Sequence, residues 1–502
     1  MEIDEGLSGS SSRRGTIMSA FQQSIKQAPV TVPLYVWQAL ALPWRTEPEI
    51  DIERQMYLSE RRSILADSEL GIYPFQGVKL TRADIEWLLV THEDTNQRGP
   101  VDLSDERQQA RRGLDLRGAD LRQVNLCGLP LARLQGGRNW LVQFPSAEEQ
   151  HDMATIHLEG ADLGATYIQE AFLGGAHLEE AFLGGAHLEG AYLEGAHLEG
   201  VNLEGAHLEG ANLEHAHLEG ANLEGAHLEG TNLLGAHLEG ANLLGTSLKG
   251  KPVPADYLKR VRHWDKDILP PANLQGVFFS ASTVLEDTIL GDEQFGFVSL
   301  ADVHWNEVNL SNVDWEAVTI LGDERRARQT SWLYNYRGAV RAYRQLASVL
   351  REQGLYEEAS HFAYRAQLLQ KRVLWRQMLQ LRRRGRKGLG RLTRKMLSYL
   401  SSWLFDLVAG YGYKPLRSLI VYVFVIGIFT LAYAVLGMLN GLHQPFSQLL
   451  TLSMTSFHGR GFFPDQLAMD GPQAFVATIE AIVGLIIEVG FIAAFVQRFF
   501  RK

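Results

Sequence analysis

Three regimes of hydrophobic patterning divide this chain. The most regular runs from Leu158 to Leu248, where every fifth residue is Leu except Ile168. Two places before each stands a small residue, usually Ala, as at Ala161, Ala171, Ala211 and Ala241; the exceptions, Ile156, Thr166, Val201, Thr231 and Thr246, are uncharged. A five-residue period fits neither an amphipathic helix, at 3.6, nor a strand, at 2. It predicts a chain that turns a corner every five residues, with the small residue and the leucine pointing inward and the polar residues outward. Leu116, Leu121, Leu126 and Leu131 keep the step before this block, and Leu300, Trp305, Leu310, Trp315 and Ile320 keep it afterwards. The bulky Trp305 and Trp315 imply that the last coils are distorted or capped. Lys251 to Pro271 breaks the pattern with prolines and charges and reads as a loop or inserted helix.

The second regime is helical. Leu80 to His92 reads as a helix with Thr81 as N-cap and Asp84 three residues on. Ala342, Leu346, Leu350, Ala359, Phe362, Ala363 and Ala366 fit a helical hairpin around Gly354. The run from Tyr343 to Ala359 looks like one tetratricopeptide unit. Such a unit cannot bury its face alone, so it is expected to pack on the end of the coil and shield its edges.

The third regime is continuously apolar. Leu419 to Leu439 carries no charge and is long enough to cross a bilayer. Ala474 to Val496 is a second candidate, interrupted by Glu480 and Glu488. Taken alone, the first also fits a buried core helix and the second a soluble amphipathic helix. Between them, Gln444 to Leu452 is long enough for a short helix.

Charge is distributed unevenly. From His157 to Lys249 there are 15 Asp and Glu and one Lys, whereas Lys371 to Met396 holds 11 Lys and Arg and no acid. A basic block beside an apolar run points to anionic lipid or nucleic acid as its neighbour. Its place just before the first span assigns Arg382, Arg383, Arg384, Arg386 and Lys387 to lipid headgroups, with no nucleic-acid partner. Basic residues also follow the second span, at Arg498, Arg501 and Lys502, so the positive-inside rule puts both termini in the cytoplasm of a multi-pass protein of the cell membrane. Trp403, with Tyr399 and Phe405, lies on an amphipathic stretch expected at the interface. The single cysteine, Cys127, forbids an intrachain disulfide and fits a reducing compartment. Met1 to Gln27 is Ser-rich and polar, without a secretion-signal core, and residues 1–48 are expected to form a disordered tail.

The period-five block resembles the pentapeptide-repeat family, whose motif is A-(D/N)-L-x-x. That resemblance implies a right-handed, four-sided β-helix with four pentapeptides per coil. The segment from Gly410 to Lys502 resembles two-transmembrane potassium-channel-like proteins, through Tyr411-Gly412-Tyr413-Lys414-Pro415-Leu416-Arg417, a half-helix followed by a Gly-rich stretch, and the Glu480…Gly484…Arg498 pattern. It implies a re-entrant pore loop, with a filter drawn from Thr455, Ser456, Phe457, His458, Gly459, Arg460, Gly461 and Phe462. If Gly459-Arg460-Gly461 stands where the family has Gly-Tyr-Gly, Arg460 replaces the tyrosine and Phe462 the usual acid. A ring of guanidinium groups would repel cations and favour anions, so the resemblance carries an ion pathway without its potassium selectivity. Glu480, Gly484, Glu488 and Gly490 are the candidates for filter support or gating. Glu480 alternatively bonds between subunits, and the glycines alternatively permit close helix packing. Two spans cannot enclose a pore alone, so a homo-tetramer is implied.

If four pentapeptides make a coil, residues 20 apart stack. His177, His197, His217 and His237 then form one outward column, and His187, His207 and His227 another on the opposite face, with glutamates stacking beside them. Such ladders could bind a divalent metal or sense pH, although repeat duplication alone explains them, and no metal site is assigned. No nucleophile–base set, phosphate loop or zinc spacing is present, and Gly388-Leu389-Gly390 lacks the strand a nucleotide motif needs. The chain therefore reads as a non-enzyme without cofactor. Its expected order is a tail (1–48), a small mixed segment (49–100), a β-helix (101–322, insertion 251–271), a helical hairpin (323–380), a basic linker with an interfacial helix (381–417) and a transmembrane pore-like domain (418–502). The expected function is an oligomeric ion channel of unassigned selectivity, in contact with lipid and ion, with a protein partner possible on the β-helix. The alternatives are a non-conducting membrane scaffold and a DNA-mimic topoisomerase inhibitor.

Overall fold

The structure is a computed structural model that describes residues 42–67, 70–108, 110–137, 154–252, 268–383, 389–413, 415–439, 445–459 and 472–499. The chain forms two compact units, Met1–Gly322 and Asp323–Lys502.

In the first unit, α1 (Ile52–Arg62) starts at Asp51, whose carboxylate accepts from the Arg54 N–H. Helix α2 (Arg82–Thr91) starts with the capping box the sequence predicts, Thr81 and Asp84 each accepting from the other's backbone. Arg54 ties the two helices through paired bonds of 2.9 Å to Asp84. The tail expected to extend to residue 48 is ordered over its last residues. The buried Glu86 carboxylate accepts from the backbone N–H groups of Thr46 and Glu47, both at 2.9 Å. A two-residue hairpin follows, β1 (Glu93–Asp94) with β2 (Gln97–Arg98). Ile85 of α2 is buried against Leu116, Leu121, Leu126 and Leu131. The segment at 49–100 thus caps the first coil, covering leucines that a terminal coil would otherwise expose.

The coils themselves follow from the five-residue period. From His157 onward parallel bridges link residues 20 apart: His157 to His177, Asp162 to Phe182, Tyr167 to His187, Phe172 to Tyr192. One coil is therefore four pentapeptides, as the resemblance implies. The inward Leu and Ala of every rung are essentially inaccessible, each leucine contributing about 1.5–3 kcal/mol by burial. Corners fall two residues after each leucine, in left-handed backbone that glycine adopts without a Cβ penalty, as at Gly200 (φ +65°). Glu170, Glu180 and His215 occupy the same corner at φ +53°, +57° and +55°.

The flanking copies join the same stack. Asp120, Asn125, Pro130 and Gln135 bridge to His157, Asp162, Tyr167 and Phe172. On the other side Asn232, His237, Asn242 and Ser247 bridge to Asn273, Phe278, Val284 and Ile289. The body of the insertion expected at 251–271, residues 253–267, lies outside the described residues; only its base is described. It closes as an antiparallel stem of β3 (Lys251–Pro252) and β4 (Ile268–Leu269). A second small hairpin, β5 (Gly291–Asp292) with β6 (Gly296–Phe297), widens the next coil. Trp305 and Trp315 point inward and are buried, and the Trp315 indole N–H donates to the Leu310 carbonyl at 3.0 Å.

The second unit is helical. After α3 (Gly322–Thr330) come α4 (Leu333–Glu352) and α5 (Tyr356–Arg383), the expected hairpin. Gly354, at φ +84°, makes the turn between them. Tyr343, Leu346, Ala359 and Phe362 fill its seam, and the Tyr343 hydroxyl donates to the buried Glu324 at 2.9 Å. Helix α6 (Leu389–Ala409) carries the aromatic stretch. Trp403 and Phe405 are exposed, whereas Tyr399 packs on Trp375. Then follow α7 (Pro415–Leu439), the short α8 (Phe446–Phe457) and α9 (Pro472–Phe499).

Candidate functional site

Two places combine chemistry with construction. The first is the bundle of α7, α8 and α9. Arg417–Leu439 and Pro472–Ile492 are long and apolar enough to cross a membrane. Both turn apolar side chains outward, including Ile420, Phe424, Leu431, Ile482 and Leu485. The short α8 packs against both. Its 12 residues span about 18 Å, less than the ~30 Å hydrocarbon thickness of a bilayer.

Glu480, Gly484 and Glu488 lie four apart on α9, and all three face α8. Glu480 is 0% exposed. Its carboxylate accepts from the Tyr433 hydroxyl of α7 at 2.8 Å and from the Ser453 hydroxyl of α8. One buried acid thus ties three helices. At Gly484, a Cβ would lie 2.0 Å from the Phe457 carbonyl oxygen. Close packing is the role its geometry carries. Glu488 meets Nδ1 of His458 at the end of α8, while Nε2 of His458 lies 3.1 Å from the Tyr422 hydroxyl. Gly490 sits where a Cβ would meet Val408 of α6 at 3.3 Å.

The expected filter needs correcting at its start. Helix α8 runs to Phe457 rather than ending near Leu452, so Thr455, Ser456 and Phe457 are helical and cannot line an extended filter. No glycine or proline interrupts the segment before Gly459, which ends the helix at φ +64°. Phe457 is instead buried with Val408, Ile426 and Ile487. Arg460, Gly461 and Phe462 lie outside the described residues. So do Arg384, Arg386 and Lys387, while Arg382 and Arg383 close α5.

The second place is the pair of histidine faces. In one, His157, His177, His197, His217 and His237 stack with ring centroids 4.8–5.1 Å apart and planes within 6°. Nδ1 of each faces Oε1 of the glutamate two residues on, at 3.0 to 3.5 Å. On the opposite face His187, His207 and His227 stack at 4.8 Å. Carboxylates held at rung spacing repel by about 1 kcal/mol per neighbouring pair in water and about 3–4 kcal/mol at an effective dielectric constant near 20.

The opposite face meets that repulsion with a residue the sequence reading did not single out. Lys251, the first residue of the insertion, puts Nζ 2.7 Å from Glu209 and 3.6 Å from Glu229. These side chains are 9% and 4% exposed. Burial opposes ionisation of Glu209, but hydrogen bonds from His207 and Lys251 outweigh it and hold the carboxyl at about 2. The bond to Glu209 correspondingly raises the His207 imidazole. Nothing in the local sequence at Lys251 signals this; only closure of the β3–β4 stem brings it to rungs 42 and 22 residues earlier in the chain.

Comparison with known families agrees with this geometry over the repeats. The Pentapeptide repeats family matches residues 156–195, 186–225 and 216–250, with eight copies. No curated protein is significantly similar to the chain. Among solved structures, HetL, a pentapeptide repeat protein involved in heterocyst differentiation regulation from the cyanobacterium Nostoc sp. strain PCC 7120, is 24% identical over 40% of this chain and 81% of its own, with a TM-score of 0.22. Full-length QnrB1, a plasmid-mediated fluoroquinolone resistance protein, is 14% identical over 44% and 92%, with a TM-score of 0.23. A pentapeptide repeat protein from the Arabidopsis thaliana thylakoid lumen is 20% identical over 29% and 68%, with a TM-score of 0.12. With its family match and its rungs of 20 residues, the block at 156–250 is a run of pentapeptide repeats.

Proposed function

We propose that this protein is a membrane-embedded, oligomeric ion-conducting protein that carries a pentapeptide-repeat module. The observation that carries the reading is the seating of α8. A helix too short to cross a bilayer packs between two helices that are long enough, and Ser453 fixes it to the buried Glu480. A carboxylate inside an apolar bundle is costly unless function or a partner requires it. A half-helix ending inside the bundle also presents the negative end of its dipole there, which favours a cation at that point. Two spans cannot surround a pore, so copies must assemble, four being the number the channel resemblance implies. The basic run at 382–387 then meets anionic headgroups, with both termini cytoplasmic.

The helical state of Thr455 to Phe457 favours a second reading, in which the bundle is a non-conducting anchor that holds the repeats at the membrane. Purified full-length protein reconstituted in planar bilayers separates the two. Unitary currents are expected, and Arg460→Glu should shift their anion-to-cation preference. A monomer in detergent, or silence in every chloride and potassium gradient tried, overturns the channel in favour of the anchor.

A further inference from the structure

We propose that the His177–His237 face binds Zn2+ and related late first-row divalent cations between successive rungs. The opposite face supplies the precedent within the same molecule. There a cation, the Lys251 ammonium, sits between the carboxylates of neighbouring rungs, Glu209 and Glu229. The His177–His237 face repeats that arrangement of His and Glu. Among the described residues, no Lys or Arg comes within ion-pair distance of Glu179, Glu199, Glu219 or Glu239; histidines alone pair with them.

The donor atoms point the same way. Each imidazole directs Nδ1 to a glutamate Oε1. With its proton on Nε2, the neutral imidazole turns the Nδ1 lone pair toward the carboxylate oxygens, so a cation between them meets nitrogen and oxygen donors together. The second oxygen of each glutamate, Oε2 of Glu179, Glu199, Glu219 and Glu239, is buried without a hydrogen-bond partner. Glu179–His197–Glu199 and Glu199–His217–Glu219 each bring three ligand atoms within 4.8 Å of one another. Tetrahedral zinc with bonds of about 2.0–2.2 Å sets its ligand atoms about 3.3–3.6 Å apart, so the most widely spaced side chains must lean together by a little over ~1 Å. The partly exposed imidazoles of His197 and His217 have room to do so. Mixed nitrogen and carboxylate donors suit zinc and copper better than the all-oxygen preference of magnesium or calcium.

The chain also provides its own test substitution. Asn202, Asn222 and Asn242 occupy the pentapeptide position that His holds on these faces. Asn242 reaches Asn222 at 3.1 Å as a stacked amide, so His→Asn keeps the fold. The experiment is calorimetric titration of Zn2+ into the full chain in detergent at pH 7.5 and 5.5. It compares wild type, H177N/H197N/H217N/H237N and H187N/H207N/H227N. Saturable binding is expected at pH 7.5. It should weaken at least tenfold at pH 5.5, because protons compete for the imidazoles, and it should lose most of its stoichiometry in the first variant and less in the second, whose His187, Glu189 and His207 form one such group. No saturable binding by wild type, or equal loss in both variants, overturns the proposal. If the quadruple variant does not fold, H197N alone should lower the stoichiometry, and an unchanged stoichiometry overturns it.

Discussion

Replacing Lys251 by Met removes the ammonium that lies between the buried carboxylates of Glu209 and Glu229, while keeping most of the side-chain volume. The cost can be worked from the carboxyl it serves. Glu209 is held at about 2 against an ordinary 4.5. At 1.36 kcal/mol per unit, ionised Glu209 contributes about 3 kcal/mol at neutral pH. His207 supplies part of this and remains in the variant, but Glu229 also loses its ammonium. Breaking a buried pair on one side costs about 3–5 kcal/mol, so K251M should lose about 2–3 kcal/mol at pH 7. The sign against pH is definite. A carboxyl depressed in the folded state stabilises above its unfolded value of 4.5 and loses that contribution as pH falls through about 2. Wild type should hold its stability down to about pH 4.5, then weaken. The variant should start lower and show a shallower acid limb, because its Glu209 no longer titrates so low. Urea unfolding at pH 7, 5 and 3, with hydrogen exchange over rungs 205–250, measures both. A loss under about 0.5 kcal/mol at pH 7 with an unchanged acid limb would refute the view that Lys251 neutralises these rungs.

Other perturbations test the remaining architecture. Gly484→Ala sets a Cβ 2.0 Å from the Phe457 backbone oxygen. Helix α8 must then move, and thermal unfolding in detergent should show a loss of at least about 1–3 kcal/mol; a neutral variant would mean that α8 is not packed on α9 there. Leu218→Ala, in a rung whose neighbours are pinned by backbone bonds, cannot collapse its cavity. It should cost about 3–5 kcal/mol, with faster amide exchange confined to adjacent coils; exchange rising uniformly along the stack would count against rung-by-rung stability.

What could be read without coordinates was set by short-range repetition. A leucine every fifth residue, with a small residue two before it, leaves one way to bury both, and equal steps force equal rungs. Four sides to a coil, and with them the columns of His177–His237 and His187–His227, came from the resemblance to pentapeptide repeats; the turn at every fifth residue and the cap at Thr81 were legible in the residues themselves. So were the two long apolar helices, because length and composition alone define them. Where contacts join residues with no fixed spacing, only the tertiary structure decided. It brought Lys251 to Glu209 and Glu229 by closing the β3–β4 stem, laid Ile85 over the first coil, and ran α8 through Thr455 to Phe457. It also joined Tyr433 and Ser453 on Glu480. A buried charge takes its partner from whatever the fold brings near, and that proximity is a property of the packed chain, with no periodicity in the sequence to announce it.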